Sequence, residues 1–375
     1  MNSHVNDVAL FEMKQRGGEG LQASPLSADR LGRAKVAYSV RRVPLPAIET
    51  LITGEIKPRP GDLVLARVDR LGQHPRLELV TGRRATLYAG DEIVVCYGNR
   101  YAPDQFESRV PDHLGSCHLV AGGGVASQML SKHQRVRRPT SITPIGLLGD
   151  HQSRPINLAD WALVPQVGGR KSGPFTVAVV GTAMNAGKTT AAAHLIRGLS
   201  ISGLKVAACK VTGTGSGCDP WLMLDSGATA VVDFTDAGYA STFGVPLAEL
   251  ESIVTTLTGH LAAEGVDAIV MEVADGLVQA ETAALLQSAV FARAVDGVIF
   301  AANDAMGAKC GIEWLGRYGM PVLGVSGTLT ASPLARHEAE LVTGLPVFGL
   351  EDLSNPDIGS LLACQAGVAS LAAAV

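Results

Sequence analysis

Residues 181–190 read GTAMNAGKTT, and this stretch with its flanks limits the fold of the chain more than any other. The run before it, FTVAVV (175–180), is short and continuously apolar, the pattern of a strand buried on both faces. The run after it, TTAAAHLIRGLS, has helical periodicity to about Ser202, with Gly203 as a natural stop. Strand, loop and helix in that order aim backbone N–H groups and the positive end of the helix at one point, which suits an anion. Lys188 is placed to reach outer phosphates, and the Thr189 hydroxyl to ligate Mg²⁺. The spacing is unusual: five residues, not four, separate Gly181 from Gly187.

The rhythm of the chain changes on either side of VPQVGGRKSGP (164–174), which reads as a linker. Beyond it, KVAACKV (205–211), AIVMEV (268–273), GVIFAA (297–302), VLGVS (322–326) and PVFG (346–349) are further apolar runs, most separated by helical stretches. The expectation for residues 171–375 is an α/β domain: a parallel, doubly wound sheet covered on both faces. Before the linker, LVLARV (63–68), RLELV (76–80), ATLYA (85–89) and EIVVCYG (92–98) follow one another with turn signals between them and no helix. Residues 31–165 are therefore expected to form a smaller, β-rich N-terminal domain, an antiparallel barrel or half-barrel, in which VASQMLSKH reads as helical. Gly122–Gly124 read either as a loop or as a close backbone approach to a ligand. Residues 1–30 read as disordered or extended.

Composition narrows the class. A net charge of −4 predicts no general attraction to nucleic acid or anionic membrane. Six scattered cysteines without a CxxC pair argue against a disulfide framework and a closed zinc site. The N-terminus lacks a signal-peptide pattern and no run is long and apolar enough to span a bilayer, so a soluble, cytoplasmic protein is expected. The basic run KHQRVRR (132–138) has no interleaved aromatic residue and reads first as solvated surface.

The loop G-T-x-x-x-x-G-K-T resembles that of dethiobiotin synthetase and its relatives, the SIMIBI class of P-loop NTPases, over about residues 175–350. KVAACKV ends in Lys210, where that family places a lysine contacting substrate or phosphate. AIVMEVADG resembles the family strand whose glutamate helps hold Mg²⁺, and Glu272 is the match. GVIFAANDAMGAKCGIEWLGRYGMPVLGVSG and TGLPVFGL are similar to the segments that follow. The resemblance implies ATP and Mg²⁺ as cofactors. It assigns Gly181, Thr182, Asn185, Ala186, Gly187, Lys188, Thr189 and Thr190 to the nucleotide, and it raises a homodimer as the assembly. Three positions depart from the family. Ala183 stands where an aspartate is usual, Ser326-Gly327-Thr328 replaces an adenine-side asparagine, and Val273-Ala274-Asp275-Gly276 replaces Gly-Ala-Gly-Gly. Thr182 in place of a lysine argues against the ParA- and nitrogenase-type branch.

The segment after Lys210, VTGTGSGCD, is rich in glycine and hydroxyls and leaves the carboxyl end of a parallel strand, where ligands bind in such sheets. Thr212, Gly213, Thr214 and Gly215 are candidate substrate contacts. Asp219 is a candidate third metal ligand with Thr189 and Glu272. Asp275 reads as a catalytic acid or base or as a helix N-cap, and Asp304, with Asn303, as a substrate contact or a strand-end residue. Cys218 lacks an evident base and reads as a bystander. The leading expectation is an ATP-dependent ligase using Lys188, Lys210, Glu272 and Asp275. The γ-phosphoryl group would pass to a small carboxylate or carbamate to form an acyl phosphate, and the N-terminal domain would cap the site or supply specificity. A small-molecule kinase and a metallochaperone-like GTPase switch are the alternatives. A nucleic-acid motor is disfavoured by the charge and by 5% aromatic content.

Overall fold

Alternating apolar runs before residue 150 form strands β1 (Gln22–Pro25), β2 (Lys35–Val36), β3 (Thr50–Thr53), β4 (Leu63–Arg70), β5 (Arg76–Glu78), β6 (Arg84–Thr86), β7 (Glu92–Tyr97), β8 (Arg100–Tyr101), β9 (Phe106–Arg109), β10 (Cys117–Ala121), β11 (Val125–Lys132) and β12 (Thr140–Gly149). The computed structural model describes residues 20–166 and 173–367. Strand β12 pairs with β4, β4 with β7, β7 with β11, β11 with β10, and β10 with β12 again. These five strands close into a ring, so none of them exposes an edge along the closed path. Because side chains alternate across a strand, β4 sends Val64, Ala66 and Val68 into one cluster and Leu63 and Leu65 into another. The first cluster also takes Ile93, Leu119, Ala126 and Ile142, one from each remaining strand of the ring, and fills its interior. The second includes Leu31 of helix α1 (Ala28–Arg33) and packs on the outside. Each fully buried Val or Leu contributes about 1.5–3 kcal/mol relative to exposure.

Three expectations are corrected here. All of VASQMLSKH but its last residue is strand β11, not helix, because it pairs with β10 and β7 over its first residues and with β9 over the rest. The β7–β11 and β2–β7 pairings are parallel, so the barrel is not wholly antiparallel. Residues from Gln22 onward form β1, antiparallel to β3, and then α1, capped by Ser27; residues 1–19 lie outside the described residues, as do 167–172 of the linker.

The later apolar runs form β13 (Phe175–Gly181), β14 (Val206–Lys210), β15 (Ala230–Asp233), β16 (Ala268–Glu272), β17 (Gly297–Ala301) and β18 (Val322–Ser326). All pairings are parallel, in the order β15-β14-β16-β13-β17-β18. Helix α2 (Lys188–Ile201) follows β13, and α3 (Cys218–Asp225), α4 (Leu247–Ala263), α5 (Ala280–Leu286), α6 (Ala289–Ala294), α7 (Ala305–Gly316), α8 (Pro333–Thr343), α9 (Leu350–Leu353) and α10 (Ile358–Ala366) complete the described helices. This is the doubly wound P-loop α/β fold. Ala191, Ala192, Leu195, Ile196 and Leu199, one stripe of α2, pack on Val177 and Val179 of β13 and on Leu353, Ile358 and Leu362. PVFG is not a strand. Val347 makes a single parallel bridge to Val325, and Gly349 at once opens α9. Strand β15 was not expected from the sequence.

The chain divides into two units, but not at one boundary. The first holds residues up to Ala162 together with Thr214–Gly217 and Thr235–Phe243; the second holds the rest. Residues 171–375 are therefore not one uninterrupted domain. The reason lies in bonds within the first unit. Glu78 Oε2 accepts from Gly217 N (2.7 Å) and Ser216 Oγ (3.1 Å), and Gly215 N donates to Ala240 O (2.9 Å). Arg41 pairs with Asp236 at 2.5 Å and donates to Thr235, while Asn99 donates to Phe243 O (3.2 Å).

Candidate functional site

The loop between β13 and α2 is built as its composition requires. Asn185 and Gly187 take positive φ, 65° and 94°, and Gly187 sits where a Cβ would meet the backbone of Gly327 and Thr328 at 3.1 Å. Gly187 directly precedes the first turn of α2, in which Lys188, Thr189 and Thr190 lie. Thr182 N donates to Ala301 O (3.0 Å), and Ala186 O accepts from Thr328 N (3.0 Å), so the loop is fastened to β17 and to the segment after β18. Ala183 and Asn185 are exposed and Ala186 is buried. Lys188 folds back across the loop, its Nζ donating to Ala183 O at 2.7 Å.

Strand pairing brings the acidic and basic groups together. Glu272 lies opposite Val179 on one side and Lys210 on the other, since β16 runs between β13 and β14. Glu272 Oε1 accepts from Thr189 Oγ1 (2.7 Å) and from Lys210 Nζ (3.3 Å). Its Oε2 is buried with no hydrogen-bond partner among the described residues. Asp219, in the first turn of α3, holds Lys210 from the other side. Burial opposes the charge on Lys210, but Glu272 and Asp219 outweigh it and keep the ammonium above its ordinary value. Lys188 goes the other way. Burial lowers its pKa to about 8 against the pull of Glu272 and Asp275.

The other expected residues fall as follows. The Thr212 hydroxyl accepts from Ala274 N (2.8 Å) and donates to Ala274 O (3.4 Å), joining the exits of β14 and β16. Gly213 packs beside Lys210, Ala274 and Phe234. Thr214 and Gly215 belong to the first unit. Asp275 has φ 64° and does not cap the next helix, because Gln279 caps α5 by accepting from Thr282 N (2.7 Å). Asp304 is the N-cap of α7 and accepts from Gly307 N (2.7 Å). Asn303 has a clearer role than the sequence indicated. It accepts from Thr182 Oγ1 and donates to Thr328 Oγ1, both at 3.1 Å, tying loop to loop. Nothing in the local pattern marks this tie, because its partners lie far apart along the chain.

The donors fit Mg²⁺, which takes hard oxygen ligands and tolerates few from the protein. The orphaned Glu272 Oε2 beside the Thr189 hydroxyl is the fit, since a buried carboxylate oxygen left unpaired is costly. Among the described residues there is no cluster of three or more His, Cys, Asp or Glu suited to a metal held by protein alone. No helix among them is long and apolar enough to cross a membrane.

No family model and no curated protein matches the chain. Solved structures do. The Signal Recognition Particle 54 kDa protein of Aeropyrum pernix K1, in complex with GDP, is 21% identical over 58% of this chain and 52% of that one, with a TM-score of 0.38. The signal recognition particle receptor FtsY of Elizabethkingia anophelis is 15% identical over 54% of this chain and 67% of its own, with a TM-score of 0.34. Chloroplast FtsY of Physcomitrella patens is 17% identical over 56% and 70%, with a TM-score of 0.36. The match thus spans about half the length of the first of these.

Proposed function

We propose that the second unit is a Mg²⁺-dependent nucleoside-triphosphate enzyme of the SIMIBI type, which transfers the γ-phosphoryl group to a small acceptor. The observation that carries this reading is Glu272, with one oxygen on Thr189 and the other buried and unpartnered. Thr189 and Glu272 would hold Mg²⁺, which neutralises charge on the transferring group when bound. The Lys188 ammonium, now on a carbonyl, would move to the phosphates, whose charge raises its pKa from about 8. Lys210 would orient an anionic acceptor, a carboxylate or carbamate, whose oxygen takes the γ-phosphoryl group as the nucleoside diphosphate leaves, and Asp275 would take the proton of an amine that then displaces phosphate from the acyl phosphate. By resemblance, ATP is the donor and a ligase the reaction.

A second reading takes water as acceptor and hydrolysis as a switch of partner affinity, with GTP the nucleotide. It is favoured by the commitment of Thr212 to Ala274 and of Asp304 to its helix, since two groups assigned to an acceptor are already engaged. Turnover of Mg²⁺-ATP and Mg²⁺-GTP, with and without a pool of small metabolites, separates the readings. Metabolite-dependent ADP formation with a new phosphorylated or condensed mass supports transfer. Turnover indifferent to metabolites, or confined to GTP, supports the switch. No turnover of either nucleotide under any condition contradicts both.

A further inference from the structure

Arg70, at the end of β4, and Arg137 and Arg138, just before β12, line a cavity of about 350 Å³ with Leu71, Gly72 and Pro139. It lies wholly in the first unit. The two arms that carry the arginines are laced together. Gln73 N donates to Arg138 O (2.9 Å), Arg137 N to Gln73 Oε1 (3.2 Å), and Gly72 N to Thr140 Oγ1 (2.9 Å). Thr140 Oγ1 in turn donates to His74 O (2.6 Å). Gly72 permits this approach: a Cβ there would lie 2.2 Å from Arg138 O. The two arms are thus fixed by hydrogen bonds, and from them the side chains of Arg70, Arg137 and Arg138 stand exposed at the rim.

The guanidinium groups are uncompensated. Among the described residues no carboxylate forms an ion pair with Arg70, Arg137 or Arg138. Neighbouring Asp69 is engaged by Arg67 at 3.4 Å and by Thr143 at 2.7 Å. The pKa of His118 is lowered, first by burial and then by the charges of Arg138 and Arg70. Like charges held around one cavity repel, and an anion relieves them. Arginine forks match phosphate oxygens on more than one side.

We propose that this cavity binds a small phosphorylated molecule carrying at least two negative charges. Its volume falls in the range of small-ligand sites. A single-stranded nucleic acid would need aromatic rings to stack on, and the lining has none. The lining belongs to the first unit and the phosphate loop to the second, and the proposal does not depend on the function proposed for that loop.

The test is calorimetric titration of full-length protein carrying Lys188→Ala, so that the loop does not compete, with pyrophosphate, citrate and oligothymidylate as probes. Saturable, one-to-one pyrophosphate binding is expected, weakened about tenfold or more by Arg70→Gln with Arg138→Gln. Arg135→Gln, outside the lining, should leave it unchanged. Should Lys188→Ala not fold, the wild-type background serves: the double variant then removes one pyrophosphate site and spares the other. Four results would overturn the proposal: no pyrophosphate site beyond the loop, binding indifferent to the double variant, tighter binding of citrate, or binding of oligothymidylate that pyrophosphate does not displace.

Discussion

Lys210 and Glu272 stand opposite each other on β14 and β16, with Nζ and Oε1 3.3 Å apart and side chains only 11% and 2% exposed. Asp219 completes the group. Removing the cation leaves the buried Glu272 and the partly exposed Asp219 without their shared partner. Lys210→Met, which keeps most of the bulk, should destabilise the second unit by about 3 kcal/mol, as breaking a buried pair does. Chemical denaturation followed by a probe in that unit checks it. A loss below about 1 kcal/mol would show that the carboxylates relax elsewhere.

Thr189 and Glu272 share one hydrogen bond, and the orphaned Oε2 is the feature that points to a cation. Glu272→Gln should raise the Mg²⁺ concentration for half-maximal turnover about tenfold or more and lower turnover about a hundredfold. An unchanged Mg²⁺ titration would remove Glu272 from the metal site.

Arg41 holds Asp236 at 2.5 Å, with side chains 18% and 7% exposed, and its guanidinium lies 4.1 Å from the Tyr38 ring. Arg41→Ala should cost about 3 kcal/mol and loosen Thr235–Phe243. Limited proteolysis should then cut within that segment before any other in the first unit. Arg41→Lys should rescue only part of the loss, because a single ammonium cannot engage both Thr235 and Asp236 with a fork.

His74 supplies a pH dependence. Burial first, and then the Arg100 charge, lower its pKa to about 4, against 6.5 for an ordinary histidine. Between those values the unfolded chain binds the proton and the folded chain does not. Its contribution is therefore fully present above pH 6.5 and is lost as pH falls through about 4, amounting to about 3 kcal/mol. Melting measured from pH 7 to pH 4.5 should show this loss, and His74→Gln should reduce the slope.

Much of the second unit was legible because parallel strands buried on both faces read as continuous apolar runs, and because Gly-Lys-Thr sits between such a run and a helix. Strand β15 was missed because AVVD is short and only partly buried at its first three residues. Val125–Lys132 was misread because its spacing suits a helix as well as a strand, and only its three pairing partners decide between them. Thr214–Gly217 and Thr235–Phe243 could not be assigned from the chain itself. What draws them into the first unit is Glu78, Arg41 and Asn99, more than a hundred residues away. Asn303 is marked in the sequence by its place at a strand end, but its tie between Thr182 and Thr328 lies beyond local pattern for the same reason.

The most direct test of the central claim is nucleotide binding by the purified protein, by calorimetry with Mg²⁺-ATP and Mg²⁺-GTP, beside Lys188→Ala. One-to-one binding of at least one nucleotide is expected, weakened a hundredfold or more by Lys188→Ala while the melting temperature is kept. Binding of neither nucleotide, or equal binding by the variant, would contradict the assignment of the loop between β13 and α2 to a triphosphate.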